Sequence, residues 1–242
     1  MPADPTRGPV RISLVMSALT VTAGAVDAVT FIGLGHVFAA LTTGNVLLLA
    51  FGVAQTAGVP VGRPAEALGA FVLGVAAAHA AIARVGRRGR RWFLLVLAAE
   101  AAMIGAGGGY AVAVGGTGGL PGHAATVVVV LLAGAMGWRS RGMVEAGVPD
   151  MPTTVVQIAL VKVLADLLSS GAASSRGPAL ARARRGATVL GIFVGGVAGA
   201  LLLRLGPGPA LLVIAGFEAC VVAAYSRVSH LRPPARPLPE RS

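Results

Sequence analysis

Charge is what this sequence has least of. Asp, Glu, Lys and Arg make up 12 % of its 242 residues, about half of the ~25 % that a soluble domain carries. So few charges cannot cover a water-facing surface. Lysine is nearly missing, with Lys162 alone against a large arginine complement. With abundant Ala and Gly, that bias reads as GC-rich coding and carries no function. Cysteine is limited to Cys220, inside an apolar run, which excludes an intrachain disulfide and a cysteine-based metal site. His36, His79, His123 and His230 show no ligand-like spacing, so neither a metal nor a cofactor is expected. What is present is apolar: 55 % of residues are hydrophobic and the mean hydropathy is +0.81. Lipid tails solvate such side chains, so the expected partner is a bilayer. The net charge of +11 raises nucleic acid as a partner. The arginines, however, cluster in short gaps between apolar runs, where the positive-inside rule puts them, and no nucleic-acid role is expected.

Eight apolar segments stand out, at about 12–33, 38–54, 64–83, 92–114, 121–138, 153–169, 187–205 and 209–225. A spanning helix needs about 20 apolar residues. Six segments approach that length, while the second and sixth are shorter and interrupted by polar groups. Ala23-Gly24-Ala25 mimics a signal-peptide cleavage site, but apolar character continues through Phe31 and Ile32, which favours an uncleaved first helix. The arginines choose the topology. If all eight segments crossed from a cytoplasmic N-terminus, Arg84, Arg87, Arg88, Arg90 and Arg91 would face outward, against the charge rule. If segments two and six enter and leave on one side, that gap is inside. So are Arg7, Arg11, Arg139, Arg141, the gap with Arg176, Arg182, Arg184 and Arg185, and the tail with Arg227, Arg232, Arg236 and Arg241. Only Arg63 and Arg204 then lie outside.

The halves resemble each other. Ala23-Gly24-Ala25-Val26 echoes Ala133-Gly134-Ala135-Met136, Thr42-Thr43 echoes Thr153-Thr154, and the stretch ending in Glu100 echoes the stretch ending in Glu218. Three crossings per half would make the second half enter from the opposite face, an inverted repeat common among transporters. The expected fold is an all-α membrane protein. It has about six transmembrane helices plus two short re-entrant or broken helices, with an inverted internal repeat. A cytoplasmic segment 1–11 precedes a single transmembrane domain 12–226, with halves at about 12–114 and 121–226. A basic cytoplasmic tail, 227–242, follows.

The sharpest motif is Leu41-Thr42-Thr43-Gly44-Asn45. Asn45 or Thr43 is the expected N-cap of a half-helix over residues 46–54, about 13.5 Å long and so about half of a ~30 Å hydrocarbon core. Its N-terminus would lie near the midplane, where free N–H groups favour an electron-rich group. Asp27, about fifteen residues into the first crossing, is ionisable at membrane depth and so a candidate for function. A structural hydrogen-bonding role is the alternative. Gly147-Val148-Pro149-Asp150 with Thr153 and Thr154 would supply the symmetric start in the second half. Glu100 and Glu218 occupy matching mid-crossing positions. They could form a proton relay, cap neighbouring helices, or pair with His79 or Arg84. Lys162 and Asp166, four apart on one helix face, read as a snorkelling pair. Gly195 and Gly199 in GGVAG permit close helix contact, with packing the default and homo-oligomerisation the weaker use.

These motifs carry a family resemblance. Ala23-Gly24-Ala25-Val26-Asp27-Ala28, Phe31, Leu34-Gly35, Phe38 and Thr43-Gly44-Asn45 resemble the opening signature of the YoaK family of bacterial membrane proteins, a domain of unknown function. Gly147-Val148-Pro149-Asp150 with Thr153-Thr154 resembles its second signature. The resemblance extends over about residues 12 to 228 and implies a multi-pass protein of the inner membrane; it is the arginine distribution that puts both termini in the cytoplasm. Two departures stand out. Thr42 replaces the methionine usual before Thr-Gly-Asn, and Trp138-Arg139-Ser140-Arg141 stands where the family usually carries a Gln-Asn pair. The expected function is a small-solute transporter or channel, with a midplane site from Asp27, Thr43, Gly44, Asn45, Thr153 and Thr154. A non-catalytic assembly or regulatory component is the second expectation. An enzyme is not expected, because no nucleophile-base set or phosphate-binding loop is evident.

Overall fold

A backbone N–H or C=O in lipid has no water to turn to, so a spanning segment must satisfy its own hydrogen bonds as a helix. The computed structural model of the protein describes residues 7–55, 58, 60–86, 91–115, 120–147, 160, 161, 164 and 179–227. Every regular element among them is helical. Helix α1 (Arg7–Ala28) runs on into a π-helical turn, Val29–Gly33. Then come α2 (Thr42–Val53), α3 (Gly62–Val85), α4 (Arg91–Gly115), α5 (Gly122–Ala146), α6 (Ala179–Leu202) with a 3-10 turn at Leu203–Leu205, and α7 (Pro207–Arg227). All but α2 are long and apolar enough to cross a membrane, which makes six spans among the described residues. The chain is an all-α multi-pass membrane protein. Helix α2 has 12 residues, about 18 Å at 1.5 Å each, too short for a ~30 Å core. Of the predicted sixth segment only residues 160, 161 and 164 are described, and Thr153, Thr154, Lys162 and Asp166 lie outside the described residues.

Two helix pairs form the broadest contacts, α1 with α6 and α3 with α5, followed by α4 with α7. Small residues make the first two possible. A Cβ on Gly195 would collide with the Val21 carbonyl, and one on Gly199 with the Ala25 carbonyl. On the other pair, a Cβ on Gly74 would collide with the Gly134 carbonyl and one on Gly137 with the Phe71 carbonyl. The GGVAG stretch is thus used inside the chain, where bare backbones pack at a distance that larger residues forbid. Helix α7 lies on α4 in the same way at one end, where a Cβ on Gly108 would stand 3.0 Å from the Leu212 nitrogen. At the other end the rings of Phe93 and Tyr225 meet edge-to-face at 5.4 Å.

The largest departure from the sequence-based boundaries is in α5. The apolar segment was expected to end at Trp138, with Arg139 and Arg141 in a cytoplasmic gap. The helix instead continues to Ala146, and Arg139 is buried at 2 % exposure. Hydropathy alone stops at a charge, whereas here the charge is answered by partners on other helices. Trp138 pins this stretch to α4 by donating from Nε1 to the Val96 carbonyl at 3.0 Å.

Candidate functional site

The first signature folds into a re-entrant turn. Where α1 widens into a π turn it ends, and residues 34–41 run without regular structure before α2 starts. Gly35 has φ of +109°, a conformation that only glycine adopts without strain. A Cβ there would also fall on the Arg63 guanidinium. Arg63, in the first turn of α3, donates from Nη1 to the Leu34 carbonyl at 2.9 Å, so the end of α1 and the start of α3 share one face of the protein. A Cβ on Gly33 would touch Leu203 and Pro207, and the turn between α6 and α7 therefore lies on that face too.

From Gly35 the chain dips back. The Ala40 N–H donates to Asp27 Oδ1 at 2.7 Å, with the Ala39 and Leu41 N–H groups also directed at that carboxyl. Asp27 lies six residues before the end of the π turn, about 9 Å deeper at 1.5 Å per residue. The start of α2 therefore packs beside that level of α1. Asn45 then closes the turn. Its Oδ1 accepts the Phe38 N–H at 2.9 Å and its Nδ2 donates to the Phe38 carbonyl at 2.6 Å. Both polar ends of a buried amide are thereby satisfied by one backbone residue, which offsets the cost of burial.

This corrects the expected cap. The N-cap of α2 is Leu41, with no side-chain cap bond, and Thr43 is exposed. Gly44 is needed for closeness, because a Cβ there would stand 2.8 Å from the Phe38 ring. Phe38 in turn stacks on Phe31 at 4.6 Å. Between this turn and α6 lies a cavity of about 270 Å³, lined mainly by apolar groups, with Asp27 as its ionisable residue. Phe31, Phe38 and Leu41 wall it from the first half, and Ile192 and Gly196 from α6. Of the predicted site residues Asp27 lines the cavity, whereas Thr43, Gly44 and Asn45 belong to the turn that shapes it. Gly196 and Ile192 had no signal in a single sequence, because only the α1–α6 packing brings them here.

A second polar centre lies deeper. Glu100 of α4 and Glu218 of α7 are both fully buried. Neither pairs with His79 or Arg84, the partners that the sequence offered. His79 instead lies 3.4 Å from Arg141, on the exposed side of α3 and α5, and Arg84 is exposed. The partner is Arg139, with Nη1 2.6 Å from Glu100 Oε1 and donating to Thr22 Oγ1 of α1 at 2.9 Å. Arg139 is also close enough for its charge to act on Glu218 and on Asp27. The sequence did carry one signal for it: Arg139 stands in the stretch where this chain departs from the family amides.

The profile of a family described as a protein of unknown function, DUF1275, matches residues 15–224, from early α1 to the last turn of α7. The chain belongs to DUF1275. Within that family it is similar to the UPF0700 transmembrane protein YoaK of Bacillus subtilis (strain 168), with 42 % identity over 60 residues. That stretch is 25 % of this chain and 27 % of the relative. No solved structure matches the chain. Seen as a DUF1275 protein, its first signature builds the Asp27 turn. Its second begins at Gly147, in the left-handed conformation that ends α5, and continues outside the described residues.

Proposed function

We propose that this DUF1275 protein moves a small solute across the membrane and that the Asp27 cavity is where the solute binds. One observation carries the proposal: a cavity of about 270 Å³ beside the first span, walled on one side by the re-entrant turn and holding a carboxyl among apolar groups. Small-molecule sites have this character, mostly apolar with few convergent polar groups. Non-helical backbone at depth is tolerated where it is sheltered by protein or lines a cavity, and Phe38, Ala40 and Leu41 line this one. The start of α2 is already met by the Asp27 carboxyl, so the pocket suits a small neutral or cationic solute over an anion. An enzyme would need a second reactive group converging on the pocket, and among the described residues its lining supplies Asp27 as the one ionisable side chain.

The pairing of the halves supports an inverted repeat. The step along the chain from Val21 to Gly134 is the same as that from Gly24 to Gly137 and from Ala25 to Trp138. These residues make equivalent close contacts, the first of each pair with α6 and the second with α3. This register sets Gly24 against Gly137, where sequence comparison set it against Gly134. The arginine-rich 84–91 turn favours a cytoplasmic location for the opposite face, even with Arg139 removed from the tally. The cavity would then open outward from an inner membrane, with both termini cytoplasmic.

The proposal is tested by thermal-shift screening of purified protein against small amines, alcohols and aromatic solutes, then uptake of the best hit into proteoliposomes. Asp27→Asn and Asn45→Leu are expected to abolish uptake while both variants still insert in the membrane. Normal uptake by both would remove the site.

A further inference from the structure

Glu100 and Glu218 sit where α4 and α7 cross, between the Phe93–Tyr225 ring contact at one end and the Gly108–Leu211 contact at the other. Their carboxyls are close enough to act on each other's ionisation. Among the described residues neither oxygen of Glu218 has a hydrogen-bond donor, and Glu100 meets Arg139 as an ion pair at 2.6 Å while that guanidinium also donates to Thr22. Two ionised carboxylates are acceptors only. They can bond each other only when one carries a proton.

Charge counting leads to the same place. Among the described residues, the ionisable groups facing the pair are Arg139 from α5 and the two carboxyls themselves. Helix α1 contributes the uncharged Thr22, with Asp27 reaching Arg139 from the cavity side. An arginine cannot give up its proton. One guanidinium against two carboxylates would leave a net negative charge in a dry interior, at a large desolvation cost. One guanidinium, one carboxylate and one carboxylic acid balance.

We propose that Glu100 and Glu218 form a single-proton site at the centre of the membrane domain, with Arg139 as its fixed counter-charge, and that this proton exchanges with water. Binding forms one O–H bond on a carboxylate oxygen with a proton taken from water, and release returns it. No other bond changes. The proton belongs to the pair and not to either residue. Buried ionisable groups of this kind mark proton pathways in membrane proteins. The chain of Asp27, Arg139 and the glutamates gives a proton at the centre an electrostatic route to influence the cavity. The site does not depend on the solute reading, since it is measured with no solute present.

The test is infrared spectroscopy of the full chain in detergent at neutral pH, with glutamate labelled by carbon-13. The expected result is a carboxylic-acid C=O band that shifts with the label, which separates it from Asp27, and shifts again in heavy water. The band disappears in Glu100→Gln and in Glu218→Gln, because the remaining carboxyl ionises against Arg139. Absence of a labelled acid band in the wild type overturns the proposal. So does its retention in either variant, which would assign the proton to one residue alone. A band that does not move in heavy water overturns exchange. The two wild-type measurements decide the matter even where a variant fails to fold.

Discussion

Replacing Glu100 and Glu218 together by glutamine is expected to prevent accumulation of folded protein, while either single replacement is tolerated. The asymmetry follows from which charges can be neutralised. With one glutamate left, Arg139 keeps an ionised partner in a neutral pair. With none left, a guanidinium that cannot deprotonate is buried at 2 % exposure with Thr22 Oγ1 as its hydrogen-bond acceptor. Leaving a buried charge unpaired costs about 3–5 kcal/mol, a large share of the ~5–15 kcal/mol that holds a domain folded. Arg139→Met should be milder, because the two carboxyls it leaves can take up protons. The triple variant Arg139→Met/Glu100→Gln/Glu218→Gln should recover much of the loss, since neutral replacement of a whole buried charge cluster is often close to neutral in stability. Size-exclusion profiles and melting of the detergent-solubilised proteins check this order. A double variant as stable as wild type would contradict the paired arrangement.

Enlarging the glycines between bare backbones should be the next most damaging change. Gly195→Leu would drive a side chain into the Val21 carbonyl, and Gly137→Leu into the Phe71 carbonyl. Backbone cannot swing aside as a flexible side chain does, so the helices must separate. Overpacking costs about 1–3 kcal/mol and sometimes more, or roughly 2–12 °C in Tm for a chain of this size. Gly69→Leu and Gly216→Leu provide the contrast. Among the described residues nothing lies within 4 Å of a Cβ at either position, and both are exposed, where lipid accepts a leucine. A melting series in which all four variants behave alike would show that these contacts do not hold the helices together.

Much of the fold was legible because the bilayer imposes it. Six long apolar runs with arginine-rich gaps led to six spans, and a run too short to cross led to α2. Helix ends were less legible where charge and burial part company. Arg139 ended the predicted segment, yet α5 continues for two more turns because Glu100 and Thr22 receive that side chain. The site was half legible. Asp27 and the Thr-Gly-Asn motif stood out as polar groups in an apolar run. Their roles did not, because a cap at Asn45 and a lock on Phe38 are written with the same residue. The lining from α6 was invisible, since tertiary packing alone brings Ile192 and Gly196 to Asp27. Glu100 and Glu218 were recognised as a matched pair from their positions, but their contact with each other and with Arg139 requires the crossing of α4 and α7.

Cysteine accessibility tests the architecture most directly. With Cys220 replaced by serine, single cysteines are placed at His36, before the dip, at Gln55, just after α2, and at Gly86, after α3. Each is probed from either side of sealed membranes with a reagent that cannot cross. A re-entrant α2 places His36 and Gln55 on one face and Gly86 on the other. Labelling of His36 and Gln55 from opposite faces would mean that α2 crosses the bilayer, and the cavity built on its return would not exist.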